Sequence, residues 1–508
     1  MTSVSQDRPD LKQSTLDYDV LATIASFVDT PRDLSALMRT NQTMYHTTMP
    51  IFLEDVRLDN HLPQTLVFCD FIEAHRNAGA LLVHGLHLPT SAPQVDEDGY
   101  WWPHPDKNLE TEPPYRVARM LSRLSNLQRL DFAYLDYWVS RNSKIFETVN
   151  PFPRLTKLRD IRMEPSSGGC YHAVMRLPAG RALSTIRLAY VWSGIKVDEM
   201  LAKHSGTLET VILNGPLPLA VSWNSRCLHV TTLELGSEKS SDYKLIPITT
   251  IFPNVVHLKV YNNQNDFDFD SIIQHSTRRE NQQVAAAQKG NFRRLDALSG
   301  DLKSLYTLAV NQPVSSLHVI AHDLRSHKHY RQLMERATMQ HFCDVLNDAQ
   351  PETLHVLFSE DHAADGEPLD FSAAETTERL MRLHVRMFLK QTDTLPHTMA
   401  FTAWMDKLPS LTHAFFHFEL YPGRVGEFEE GWGQRFVETI VPEDSKNIYF
   451  SVQLGNASAS HWCVSAGRRG GEMSPVVGEK LCAWVFPFIV HARAGFSKYV
   501  WPHTLCFD

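Results

Sequence analysis

One short phrase recurs through the middle of this 508-residue chain, and it limits the available folds more than any other feature. The phrase is a leucine or valine, two variable residues, an aliphatic residue, one variable residue and a closing hydrophobe. It reads Leu127-Gln-Arg-Leu130-Asp-Phe132, Leu158-Arg-Asp-Ile161-Arg-Met163 and Leu183-Ser-Thr-Ile186-Arg-Leu188. It returns as Leu208-Glu-Thr-Val211-Ile-Leu213, Val230-Thr-Thr-Leu233-Glu-Leu235 and Val255-Val-His-Leu258-Lys-Val260. The fourth positions fall at 130, 161, 186, 211, 233 and 258, in steps of 31, 25, 25, 22 and 25 residues. Alternating hydrophobes over so short a span predict a strand. A strand with one return segment cannot bury its apolar side alone, whereas stacked neighbours bury it together as a solenoid.

The period lies in the leucine-rich-repeat range, so the expected fold class is α/β, with strands lining one side and return segments the other. Weaker copies follow at Leu302-Lys-Ser-Leu305-Tyr-Thr-Leu308, Ser316-Leu317-His-Val319, Glu352-Thr-Leu354-His-Val-Leu357 and Leu411-Thr-His-Ala-Phe415. An earlier copy lies at Leu82-Val-His-Gly-Leu86-His-Leu88. The expected solenoid spans 59–422, with insertions at 91–115, 261–291 and 359–378. The first insertion carries Tyr100, Trp101 and Trp102; the second carries Asp266, Asp268 and Asp270 before a polar, helix-like run. From 423 to 508 the aromatic-rich chain reads as an atypical cap, which solenoids need because a last repeat otherwise exposes its core. A separate small domain there stays open.

Ahead of the repeats, residues 1–11 are polar and read as disordered, and 12–58 reads as a helical module. Val20, Leu21, Ile24, Phe27 and Val28 recur at helical spacing. Thr30-Pro31-Arg32-Asp33 restarts the chain, with a cap, a proline at the first helical position and an acid that bonds back to the cap. Leu34, Leu37 and Met38 form the next apolar face, and Asn41 caps a third turn carrying Met44 and Tyr45, which Pro50 is expected to end. About 40 residues seldom fold without support, so a partner is expected to cover part of this surface.

Leu16, Asp19, Val20, Leu21, Ile24, Phe27, Val28, Asp33, Leu34 and Leu37 occupy the places of a pattern that resembles the F-box. That module binds the adaptor in cullin–RING ubiquitin ligase substrate receptors. Asp17 stands where the family usually has proline, and the end of the motif is loosely kept as Thr43-Met44-Tyr45. The resemblance implies an F-box-like head on a leucine-rich-repeat solenoid, acting as a non-catalytic substrate receptor. Its partners would be a Skp-type adaptor, a cullin scaffold and a protein target. It assigns adaptor contacts to Leu16, Val20, Leu21, Ile24, Phe27, Leu34, Leu37 and Met44. A repeat scaffold without a ligase role stays open as the alternative.

Strand alternation points the variable residues beside each central hydrophobe to the polar side. This names Arg129, Asp131, Asp160, Arg162, Thr185, Arg187, Thr210, Thr232, Glu234, His257 and Lys259 as a candidate target-reading surface. Its mixed signs favour a protein or peptide over an apolar small molecule.

Chemistry is scarce. A net charge of -9 without a Lys/Arg cluster argues against nucleic acid and anionic membranes. The apolar stretch 481–490 contains a proline and is too short to span a bilayer. The N-terminus lacks a signal core, and seven scattered cysteines without a CxxC pair fit a reducing compartment, cytosol or nucleus. Asp266-Phe-Asp-Phe-Asp270 opens like a calcium loop but has Ser271 and Thr277 where glycine and glutamate are required. The pairs His84/His87 and His327/His329 lack further ligands at metal spacing. Gly467-Arg-Arg-Gly-Gly471 lacks a P-loop lysine, and His461-Trp-Cys463 sits in no known nucleophile frame. No catalytic residue, metal or cofactor is expected, although an enzyme housed near Cys463 stays open as a third class.

Overall fold

The computed structural model describes residues 18–28, 30–58, 62–75, 79–88, 113–132, 151–163, 177, 183–188, 197–215, 226–237, 239, 242–262, 272–288, 292–319, 336–359, 377–389, 404, 408–420, 448–454, 460–464 and 474–475. Leu16, the insertions 91–112 and 360–376, and most of 423–508 lie outside the described residues. The chain forms two compact units, Met1–Leu213 and Asn214–Asp508. Both are mixed α/β.

The first unit begins with helices α1 (Tyr18–Ser26), α2 (Pro31–Met38) and α3 (Gln42–Glu54). Their starts follow the sequence: the Thr30 side chain accepts from the Asp33 N–H at 3.1 Å, and its hydroxyl donates to Asp33 Oδ2 at 2.7 Å. Asn41 Oδ1 accepts from the Met44 N–H at 2.8 Å. Pro50 does not end α3, which continues to Glu54. Proline removes only its own N–H bond to the preceding turn, and burial of Leu53 in the next turn holds the helix together.

Strands β1 (Asp55–Arg57), β2 (Gly85–His87), β3 (Arg129–Phe132), β4 (Asp160–Met163), β5 (Thr185–Leu188) and β6 (Thr210–Asn214) pair in chain order, all parallel. Helices α4 (Leu62–Ala74), α5 (Gly79–Leu82), α6 (Pro113–Leu121) and α7 (Val197–His204) lie on the return segments. The central hydrophobes form one in-register row, Val56, Leu86, Leu130, Ile161, Ile186 and Val211, every one buried. Burying each such side chain contributes about 1.5–3 kcal/mol, which fixes register because a one-residue slip would turn the row to solvent.

The second unit repeats the plan. It contains β7 (Thr232–Ser237), α8 (Leu245–Ile251), β8 (His257–Asn262), α9 (Ile272–Gln288), β9 (Ala297–Gly300), α10 (Leu302–Leu308) and β10 (Ser316–Val319). After these come α11 (Arg336–Ala349), β11 (Thr353–Ser359), β12 (Arg382–Leu389), β13 (His413–Leu420), β14 (Ile448–Leu454), β15 (Ser460–Val464) and β16 (Ser474–Pro475). Strands β7 to β14 pair in order and parallel, while β15 and β16 turn antiparallel. Leu233, Leu258, Leu298, Leu317, Leu354, Leu383 and Ala414 make the buried row.

One expectation changes here. Leu302–Leu308 is helix α10, capped by Asp301, and not a strand copy; the strand of that repeat is Leu295-Asp-Ala-Leu298-Ser-Gly300, whose closing hydrophobe is a glycine. A Cβ at Gly300 would fall far inside van der Waals contact with the Val260 carbonyl oxygen, so only glycine fits. The polar run in 261–291 becomes α9, and its polar groups are used internally. Asn281 Oδ1 accepts from the Leu245 N–H at 2.9 Å, and its Nδ2 donates to the Tyr243 and Thr307 carbonyls at 2.8 and 2.9 Å. Arg278 donates to the Tyr306 carbonyl at 2.5 Å and to Asp348 Oδ2 at 2.7 Å, its guanidinium 4.1 Å from the Tyr306 ring centre. These bonds tie α9 to α10 and α11.

Candidate functional surfaces

The first surface is the outside of α1. Val20, Ile24 and Phe27 stand at helical spacing and are 44%, 45% and 79% exposed, with Tyr18 exposed beside them. A small helical module leaves this stripe open because its interior is already filled from other positions: Ala25, Leu34 and Met44 are buried within the unit. The expected adaptor set therefore divides. Leu34 and Met44, each 6% exposed, pack inside, since helices α1 and α2 both lie against α3. Leu21 and Leu37 are half-buried.

The second surface is the polar side of the first unit's strands, where the structure brings most of the expected target-reading residues together. They are engaged with one another. His87 Nε2 lies 3.2 Å from Asp55 Oδ1, and its Nδ1 lies 3.5 Å from Asp131 Oδ2. Arg129 reaches Asp55 at 3.3 Å, Arg162 reaches Asp131 at 3.5 Å, and Arg187 reaches Asp160 at 3.7 Å. Gly85 makes room for this, since a Cβ there would collide with Asp55 Oδ1. Donating to the Asp131 and Asp55 carboxylates raises His87 to about 9, and accepting from His87 holds Asp55 down at about 2. A raised histidine stabilises the fold fully below its ordinary pKa, and the benefit fades as pH climbs through its folded value. Thermal melts are therefore expected to show the wild-type chain losing its advantage over a His87→Gln variant between about pH 6.5 and about pH 9. Parallel pH profiles for the two proteins would contradict the assignment.

The same polar side of the second unit is built differently. Glu234 pairs with Lys259 at 2.9 Å, and Lys259 sits 5.0 Å from the Tyr261 ring centre. Thr232 and His257 are register partners one pleat away. Beyond them runs a row that sequence reasoning missed: Ser299, His318, His355, His384 and Phe415, each opposite the next. His318 and His355 ring centres are 5.5 Å apart, His355 Nδ1 lies 3.0 Å from His384 Nδ1, and the His384 and Phe415 rings meet edge to face at 4.6 Å. Burial pushes His318 down to about 4, with Lys259 adding to the effect. Burial also lowers His355 and His413, helped by His384 and His318 in one case and by Arg382 in the other. The signal was in the sequence: histidine occupies the same place of the phrase at 318, 355 and 384.

Among the described residues no group of three histidine, cysteine or acidic side chains is placed to hold a metal, and no helix is long and apolar enough to cross a membrane. A cavity of about 270 Å³ between α4 and α6 is lined by Cys69, Asp70, Glu73, Arg116, Arg119 and Arg123. Its arginines are held by its carboxylates, and burial pushes the Cys69 thiol up to about 12, so it holds no thiolate at neutral pH. His461 and Cys463 lie on β15 in register with Ser451 and Tyr449, and Gly467–Gly471 and Asp266–Asp270 lie outside the described residues. No protein-family model matches this chain, and no curated protein matches it in sequence.

Proposed function

We propose that this protein is a non-catalytic substrate-recognition subunit of a cullin–RING ubiquitin ligase, working in the cytoplasm or nucleus. The three N-terminal helices act as an F-box-like module that docks on a Skp-type adaptor, the adaptor joins a cullin scaffold, and leucine-rich-repeat strands present the target-binding face. The observation that carries this reading is the exposed stripe of Val20, Ile24 and Phe27 on a module whose own core is complete without it. An aromatic ring exposed in the turn that ends a short helix is costly unless covered, and covering Phe27 contributes about 3 kcal/mol by area. The mechanism is proximity: tethering a target beside a charged conjugating enzyme raises the effective concentration of its lysines.

Co-purification with a Skp-type adaptor tests it. The wild-type chain is expected to retain the adaptor, and an Ile24→Asp, Phe27→Asp variant is expected to lose it. Because both side chains are solvent-exposed, the variant should keep its circular dichroism spectrum and melting temperature. Equal retention of the adaptor by both proteins, or by neither, would remove the ligase reading and leave a leucine-rich-repeat interaction scaffold.

A further inference from the structure

We propose that the cavity between α4 and α6 binds a phosphate group as its dianion, seated on Arg116, Arg119 and Arg123. The cavity lies among the return helices of the first unit, so the inference goes beyond the adaptor and strand-face readings and rests on neither.

Spacings of three and four residues put the three arginines on one side of α6 and of the turn that follows it. Asp70 and Glu73, three apart on α4, meet them across the cavity. Three guanidiniums therefore share two carboxylates. Arg116 pairs with Asp70, while Arg119 and Arg123 both reach Glu73, at 2.8 and 3.4 Å. Among the described residues these arginines have no other acidic partner. One positive charge is left over inside the cavity.

The cations are anchored and the carboxylates are loose. Arg116 also donates to the Leu66 carbonyl at 3.0 Å, and its side chain is 25% exposed against 68% for Asp70. A pair this exposed contributes little, so an incoming dianion displaces Asp70 into water at small cost. The floor is apolar: Cys69 and Met120 are buried with their sulfurs 3.8 Å apart, and a floor of that kind strengthens charge attraction above it. Each arginine meets its carboxylate through Nη2, one nitrogen of a fork that carries five N–H donors. The two coplanar oxygens of a carboxylate suit one such fork, whereas the tetrahedral oxygens of phosphate can serve three at once. The volume of about 270 Å³ falls just below the roughly 300–1,000 Å³ of pockets for drug-sized ligands, and it suits a compact group.

Two titrations of the full chain test this: calorimetry with inorganic phosphate, and fluorescence anisotropy with labelled peptides that differ at one residue, phosphoserine, glutamate or serine. Phosphate binding is expected at about pH 7.5, weaker at high salt and weaker at about pH 5, where a phosphoserine has become a monoanion. Binding of inorganic phosphate alone assigns the cavity to the free ion. A phosphoserine peptide that binds about tenfold tighter than inorganic phosphate, and than the other two peptides, assigns it to a phosphorylated chain. An Arg116→Gln, Arg123→Gln variant should lose about tenfold or more of the affinity. Because Arg116 also ties α6 to α4, a second variant guards against a damaged fold. Asp70→Asn removes the competing charge from an exposed position and should bind phosphate several-fold tighter, a gain that misfolding cannot produce. Absence of binding by both phosphate probes, a glutamate peptide binding as tightly as the phosphoserine one, or an affinity that neither variant alters would each overturn the proposal. The Ile24→Asp, Phe27→Asp variant should bind phosphate as wild type does, so failure of the adaptor reading and failure of this one are read separately.

Discussion

Replacing Arg278 by alanine is expected to cost about 3–5 kcal/mol, the usual penalty for removing one partner of a buried ion pair. The guanidinium is almost wholly enclosed and does three jobs: it donates to the Tyr306 carbonyl, pairs with Asp348 and lies over the Tyr306 ring. Its loss leaves the Asp348 carboxylate, whose pKa burial already pushes upward, without its counter-charge. Urea unfolding of the purified protein should show a transition at markedly lower denaturant for the second unit. An Arg278→Met, Asp348→Leu double variant should recover much of the loss, because removing both charges removes the desolvation penalty as well. A single variant within about 1 kcal/mol of wild type would mean that the pair is solvated in solution.

The second large effect belongs to Gly300. An alanine there drives a methyl group into the Val260 carbonyl oxygen on the neighbouring strand. Neither atom is the end of a flexible side chain, so relief requires β8 and β9 to part. The Gly300→Ala variant is expected to lose about 3 kcal/mol or more, or to accumulate as insoluble protein. Gly206 serves as the control, because a methyl group there would meet nothing within 4 Å: Gly206→Ala should leave the urea midpoint nearly unchanged. Equal effects at the two sites would show that the strands yield more readily than their backbone contact implies.

The contrast between these two glycines also shows what could be read from the residues. The six regular phrases became β3 to β8 because each carries its hydrophobes at the spacing a pleated strand needs. The next strand went unseen because a close backbone approach had put Gly300 where the closing hydrophobe belonged. Leucines at 302, 305 and 308 then imitated the phrase, although steps of three suit a helix and Asp301 is a cap. Leu380-Met-Arg-Leu383-His-Val385 was likewise hidden by irregular spacing, yet it forms β12. On α1 the sequence marked an apolar surface without saying which residues turn inward. The small Ala25, not Ile24 or Phe27, faces the interior. In sequence α9 is only a polar, helix-like run, because nothing local announces that Arg278 and Asn281 will find partners far along the chain.

The central hydrophobes of the second unit at 258, 298, 317, 354 and 383 are separated by 40, 19, 37 and 29 residues, yet their strands stay in strict register. Length variation is thus confined to the return segments, while the strand positions remain a fixed grid. A residue added within β10 would exchange His318 for a buried hydrophobe on the polar face and wreck both sides at once. A residue added in a return would leave the grid untouched. Such a chain can change the chemistry of its polar face by single substitutions at individual grid points, and can acquire whole new loops between them, without renegotiating the core that holds the strands together.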